Sequence, residues 1–419
     1  MVTRKSKMHY GWLLLAMGTL VVFGALGLAR FGYSTVLPSM QADIGLNNEQ
    51  AGLLATSNLA GYLIMSIIGG VLASRYGTRL TASIGLLLAG AAMMLTGLSG
   101  NFLTVAVWRA LTGIGSGAAN VSIMGLWAAW FSSSRRGLAS GIAVSGSSIA
   151  LIFTGIAVPG IISAGGQGAW RTCWLIFGIV TVLLAIGAYI IIRNNPGEKG
   201  CEPVGSDNGA GSGLPASAPH EKPAGWKQVY LSGRVWHLGL VYIAFGFSYI
   251  IYMTFFIKFL TTECGYNSAS AGQMFMLMGW CSLFCGLAWG VLSDKIGRKR
   301  TLVILYLIHA VAYGLFAFGR SPAFFIPSVI LFGFTAWGIP AIMAAKCGDL
   351  LGPKMAPAAL GFITLFFGIG QALGPYAAGA IADARGSFSP VFLLAALTAI
   401  VGAAASMLLK KDVRIPASK

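Results

Sequence analysis

The sequence predicts an all-α membrane protein with twelve transmembrane helices in two pseudo-symmetric six-helix bundles, and three observations predict it. The 419 residues are 56% hydrophobic and only 9% charged, with a mean hydropathy of +0.78, too apolar for a water-soluble core to hide. The apolar runs are long and lack the alternation of barrel strands, so they cross as helices. The second half also repeats the first at one constant, gapless offset. Gly70–Gly77 falls on Gly290–Gly297, Asp43–Gly45 on Glu263–Gly265, Ala51 and Gly52 on Ala271 and Gly272, and Gly141 on Gly361.

Taken in order, runs near 10–37, 51–74, 79–99, 102–131, 137–163 and 170–192 form the first bundle, residues 1–192. Runs near 235–261, 270–293, 300–318, 323–350, 357–383 and 388–409 form the second, residues 235–419. Each run is near or above the roughly 20 residues that a bilayer demands. Between the bundles, 193–234 is rich in Gly, Ser, Pro and charge and reads as a flexible linker, with an amphipathic ending, Trp226 to Trp236, suited to the membrane surface. Parallel repeats of this kind place a substrate site near the midplane, where the halves meet and rock.

The net charge of +17 suggests nucleic acid only until the charges are placed. Arg4, Lys5, Lys7, Arg75, Arg79, Arg135, Arg136, Lys295, Arg298, Lys299, Arg300, Lys354 and the tail residues Lys410, Lys411, Arg414 and Lys419 all fall on one side with the basic linker. The other side keeps Arg171, Arg320 and Arg385. By the positive-inside rule both termini are cytoplasmic, and the basic balance describes topology, not nucleic-acid binding. The amino-terminal stretch enters the first run with no small-residue cleavage site, unlike a signal peptide. Cys281 and Cys285 share a helix face without His or carboxylate neighbours, so packing is expected and no metal or cofactor.

The first run carries Arg30 deep in apolar sequence, with Tyr33 close behind it. A charge there costs about 2.5 to 3.5 kcal/mol on insertion scales, so it faces a cavity, a partner or a substrate. No acid shares the run. One reading is an anion-binding cation; the other is an arginine satisfied by carbonyls, hydroxyls and water. The repeat shows that the deep cations belong to the first half alone: Arg30 falls on Ile250, Arg109 on Val329 and Asn120 on Pro340. The facing surface expected in the seventh run holds Tyr249 and Tyr252, three apart and so adjacent on one face. Asn120 and Ser145 are candidate hydrogen-bond donors to an anion, or polar helix-packing groups. The acids Asp43, Glu49, Glu263 and Asp383 lie at one set of helix ends and Asp294 and Asp349 at the other, which disfavours a sodium site. His309 reads as packing or lipid-facing, and Lys258 and Lys346 as snorkelling, with a second reading of Lys346 as a partner for Asp349, one turn away, in a cytoplasmic gate.

The motifs resemble those of the major facilitator superfamily. GVLSDKIGRKRT, Gly290 to Thr301, fits the family's loop motif in full, and the copy GVLASRYGTRLT has Ser74 in place of the acid. The resemblance implies that Asp294, Arg298 and Arg75 belong to a charge lock closing the bundles on the cytoplasmic side. WRALTGIGSGAAN resembles the family's fourth-helix motif through Arg109, Gly113, Gly115 and Gly117, and implies a coupling role for Arg109, with structural hydrogen bonding the other reading. HYGW at 9–12 and WFSSSRRGLASGIAVSG at 130–146 are similar to the monocarboxylate porters and bacterial oxalate/formate antiporters, in which Arg30 falls at a substrate-linked cation. Their charged eighth helix has no match in Gly272 to Leu292. Ala29 to Gly52 also resembles the bacterial YbfB/YjiJ type.

The expectation is therefore a monomeric, multi-pass bacterial inner-membrane transporter of a small organic anion, a monocarboxylate first, by proton symport or anion exchange. Its partners are the anion, protons and membrane lipid. Export of amphiphilic drugs is the alternative; an enzyme is not expected, since no metal cluster, Ser/His pair or long catalytic loop is present.

Overall fold

A computed structural model of the chain describes residues 9–132, 135–206 and 226–409. Arg4, Lys5, Lys7, the basic tail, 207–225 of the linker, and Ser133 and Ser134 lie outside them. The helices are α1 (Tyr10–Ile44), α2 (Asn48–Tyr76), α3 (Thr78–Leu98), α4 (Phe102–Trp130), α5 (Arg136–Gly165) and α6 (Trp170–Ile191). After the linker follow α7 (Gly233–Thr262), α8 in two pieces (Ser268–Ser282 and Cys285–Ile296), α9 (Arg298–Phe318), α10 (Pro322–Leu351), α11 (Ala358–Arg385) and α12 (Ser389–Met407). Among the described residues, 10 helices are by themselves long and apolar enough to cross a membrane. The other two of the expected runs are interrupted: α2 bends by 48°, and α8 breaks at Leu283 and Phe284.

The internal repeat reappears in the backbone. Positive-φ glycines end matching helices at Gly45 and Gly265, Gly77 and Gly297, and Gly166 and Gly386. Asn47 and Asn267 each cap the following helix by accepting from the backbone N–H three residues on. Asp43 accepts from the Trp170 indole at 2.8 Å, tying the end of α1 to the start of α6. Its counterpart Glu263 accepts from Phe388 N at 2.7 Å, tying α7 to α12.

Within the first half, α4 packs on α2 and α3, and α3 on α6; in the second, α7 packs on α11, and α9 on α12. Across the halves α1 meets α7, α2 meets α11, and α5 meets α8. One apolar core, around Trp127, Trp130 and Phe131, stays in the first half; the other runs from Leu28 of α1 through α7 to α12. The contacts between halves gather toward the end opposite the linker. There Gly155 and Gly272 let α5 and α8 backbones approach closely, and the Ser34 hydroxyl donates to the Met253 carbonyl.

The linker departs from the fully flexible reading. Residues 193–206 are docked on the first half: Val204 is buried, pairs with Phe131 and donates its N–H to the Trp130 carbonyl at 2.8 Å. The linker's end forms a short helix, Trp226–Leu231, and Tyr230 and Trp236 pack their rings on Phe362 of α11.

Candidate functional site

Phe23–Phe31 of α1 is π-helical, a widened turn that redirects the side chains it carries. It holds Arg30. The Arg30 guanidinium lies 4.3 Å from the ring centroid of Tyr62 on α2 and within hydrogen-bonding reach of the Tyr249 hydroxyl on α7. Tyr62 Oη accepts from Asn120 Nδ2 of α4 at 2.8 Å, and Tyr249 Oη accepts from Gln371 Nε2 of α11. One cation thus joins α2 and α4 of the first half to α7 and α11 of the second. Its Nη2 is buried and has no hydrogen-bond partner.

Beside it, Arg109 is 1% exposed and donates from Nη1 to the Ala29 carbonyl of the π-helical stretch at 2.7 Å. Its guanidinium stacks over Tyr33 and Trp174, and its Nε is unpartnered. Asn58 donates to the Arg109 carbonyl at 3.1 Å, tying α2 to α4 under the site. Arg30 and Arg109 line one small cavity with Asn58, Tyr33, Ser34, Met253 and Thr254. At about 10 Å³ it holds roughly one water. Repeat-related residues face one another across it, Arg30 with Ile250, Tyr33 with Met253 and Ser34 with Thr254, so the cavity sits on the pseudo-two-fold axis. Among the described residues the ion-paired acids, Asp43, Asp294 and Asp349, all lie at helix ends, away from both arginines.

The structure brings Arg30, Tyr249 and, through Tyr62, Asn120 together, and sets other expected site residues apart. Tyr33 lines the cavity, but its hydroxyl is spent on the Ala51 carbonyl at 2.7 Å. Tyr252 turns into the second half, hydrogen-bonded to Ser328 at 2.8 Å amid Tyr313, Phe316 and Phe332. Three residues rotate a side chain by about 60° net, enough here to separate interface from core. Ser145 returns its hydroxyl to Ile142 of its own helix at 2.6 Å. Tyr62, Asn58 and Gln371 escaped the sequence reading, since polar groups on apolar helices look like packing.

At the linker end, among the described residues, the ion pairs of the lock residues lie within the second half. Arg298 meets Asp294 at 2.5 Å and Asp349 at 3.3 Å, and also donates to the Ser293 hydroxyl. Arg75 lies over the adjacent Tyr76 ring. Asp349 meets Arg298, and Lys346, one turn away from it, is 1% exposed and lines a separate cavity. The clamp across the halves is at the other end. Asp383 of α11 accepts from Asn48 N, Asn48 Nδ2 and Glu49 N, capping α2. His309, expected as packing or lipid-facing, is fully buried, stacked among Phe245, Tyr313 and Phe332. The aromatic opening motif is also structural: Tyr10 donates to the Ile191 carbonyl at 2.6 Å and packs on Trp130.

A family model described as "Uncharacterised MFS-type transporter YbfB" matches residues 22–407. The hexuronate transporter of Bacillus subtilis is 25% identical over 383 residues, 88% of this chain and 87% of that one. A probable sulfoacetate transporter of Cupriavidus necator is 24% identical over 401 residues, 90% and 89% of the two chains. Among solved structures, a bacterial homolog of the human lysosomal transporter Spinster, in an inward-facing and unoccupied conformation, superposes with a TM-score of 0.75 at 16% identity, covering 96% of this chain and 98% of that one.

Proposed function

This chain belongs to the YbfB-type family of major facilitator superfamily transporters, and on that premise we propose that it carries a small monocarboxylate by alternating access, with Arg30 holding the carboxylate. The family is one of transporters, not enzymes, and relatives named for hexuronate and sulfoacetate support organic-anion transport. The observation that carries the reading is the buried, unpartnered Arg30 Nη2 on the repeat axis. A guanidinium left open in an apolar bundle is costly until an anion accepts its N–H groups in charge-assisted hydrogen bonds. Arg109 adds a second positive charge but spends Nη1 on the backbone, which suits a scaffold. Tyr249 from one half and Tyr62, held by Asn120, from the other orient Arg30.

In this reading residues 1–192 and 235–419 move as units joined by 193–234, in a bacterial inner membrane with the linker and both termini cytoplasmic. The cavity, room for about one water, is a resting, collapsed site that widens as the halves separate. Asp383 with α2 forms the outer gate, and Arg298 with Asp294 and Asp349 part of the inner one. Coupling is by proton symport or anion exchange: uptake into substrate-free proteoliposomes driven by an imposed pH gradient marks symport, and a strict requirement for internal anion marks exchange.

The test is thermal stabilisation of the purified protein by short monocarboxylates, dicarboxylates, sulfonates and cationic drugs, with Arg30→Ala alongside. Ligand at about 100 times its Kd adds about 2.7 kcal/mol, readily seen as a rise in Tm. The expected result is a shift for monocarboxylates that Arg30→Ala abolishes while remaining folded. A shift for cationic drugs alone, or one equal in the variant, makes Arg30 structural and sinks the proposal.

A further inference from the structure

Aromatic rings continue outward from Arg30. Tyr249, which its guanidinium reaches, stacks on Phe245 of α7 at 4.8 Å between ring centroids and on Phe367 of α11 at 5.8 Å, and Phe367 stacks on Tyr242 at 4.6 Å. The rings of each pair are parallel to within 17°. Tyr242, Phe245 and Tyr249 follow one another about a turn apart on α7, so the stack runs from the cation toward the linker end. Those three are at most 4% exposed and form a back wall, whereas Phe367, Tyr62 and Arg30 are half-buried. Phe367 and Tyr62 come from opposite halves, and their chain neighbours Gly368 and Leu63 mark a close approach of α11 and α2. The polar groups nearby have little left to give: the Tyr33 and Ser34 hydroxyls and N–H groups of the Asn58 and Gln371 amides are donated to protein acceptors. Arg30 Nη2, Arg109 Nε and Asn120 Oδ1 are buried and open.

We propose that the monocarboxylate held at this site is aromatic: its carboxylate meets Arg30, and its ring enters between Tyr62 and Phe367 as the halves part, extending the stack of Tyr249 and Phe245. The inference rests on the transport reading above and narrows its substrate class. A flat ring gains offset stacking against parallel rings, which a saturated body of similar size does not. A sugar acid would give up the water bonds of its hydroxyls for too few partners. Flatness, not apolarity, is therefore the property selected. Cyclohexanecarboxylate is more apolar than benzoate, so burial alone ranks it first, and stacking reverses the order.

Isothermal titration calorimetry of the purified full-length protein tests this, with benzoate, cyclohexanecarboxylate, propionate and glucuronate against wild type, Phe367→Leu and Arg30→Ala. Benzoate should bind wild type at least about fivefold more tightly than cyclohexanecarboxylate, and Phe367→Leu, which keeps an apolar side chain but no ring, should bring the two within about twofold. Arg30→Ala should abolish binding of both. Cyclohexanecarboxylate or propionate binding as tightly as benzoate, each lost in Arg30→Ala, overturns the aromatic class and leaves the monocarboxylate reading standing. A benzoate preference that survives Phe367→Leu, or glucuronate binding most tightly, also overturns it. Binding of none of the four, or binding that Arg30→Ala leaves intact, removes the carboxylate reading and this inference together. The wild-type ratio carries the test should Phe367→Leu not fold.

Discussion

Two arginines a few ångströms from one cavity divide the work because their hydrogen bonds differ. Arg109 has a carbonyl and two aromatic faces, so its role is that of a buried strut. Replacing it with Met removes the charged hydrogen bond to the Ala29 carbonyl and both ring contacts, and a loss of about 1–3 kcal/mol is expected, measured as a lower Tm in detergent without ligand. Arg30 has a ring face, a shared hydroxyl and an open Nη2. Arg30→Lys keeps the charge but not the planar fork, so the protein should melt near the wild-type temperature yet bind its anion at least about tenfold more weakly, a difference of about 1.4 kcal/mol. A variant binding as tightly as wild type would show that charge alone, not the fork, holds the ligand. Arg30 was legible because charge in an apolar run is rare; its partner Tyr62 was not, because a tyrosine on a membrane helix has many uses.

At the scale of one helix, hydropathy located α1 but not its form. The apolar run predicts an end before Pro38, yet the helix continues to Ile44 with the proline inside it, and Phe23–Phe31 takes the π form. Neither follows from apolar spacing: both are set by neighbours, as where Gly27 lies against Ala150 of α5. A β-carbon at Gly27 would overlap that of Ala150, so Gly27→Ala should cost about 1–3 kcal/mol through overpacking. Gly70 of α2 has open space around the same position, and Gly70→Ala should be neutral or stabilise by up to about 1 kcal/mol. Equal Tm values for the two variants would mean that α1 and α5 slide apart at little cost. The tyrosine pair of α7 teaches the same lesson: spacing put Tyr249 and Tyr252 together, while packing sent one to Arg30 and the other to Ser328.

Across the whole molecule, the duplication was legible because glycines and acids recur at one offset, and the same positions are the ones that end helices or tie them in each half. The repeat-matched Gly52 and Gly272 both sit at the contact between halves, against Pro375 and Gly155, but the polar clamp depends on Asp383, which falls on Ser163 in the first half. The charged loop motif suggested a lock at the linker end, but Arg298 satisfies its acids within one half, and Asp383 makes the polar clamp at the other end. That clamp lies at the N-terminus of α2, where a carboxylate caps two backbone amides and meets the positive end of the helix. Losing it should weaken the sealed state by about 1–2 kcal/mol, shifting the sealed-to-open ratio about 5- to 30-fold. The reporter is a cysteine at Thr254, which lines the cavity and is 4% exposed, in a background with the native cysteines replaced. In Asp383→Ala, a membrane-impermeant maleimide added from the Asp383 side should label position 254 about 5- to 30-fold faster, and saturating substrate should alter that rate. An unchanged rate would assign the seal to the Gly155–Gly272 approach and the α1–α7 packing alone, leaving Asp383 as a helix cap with no part in the gate.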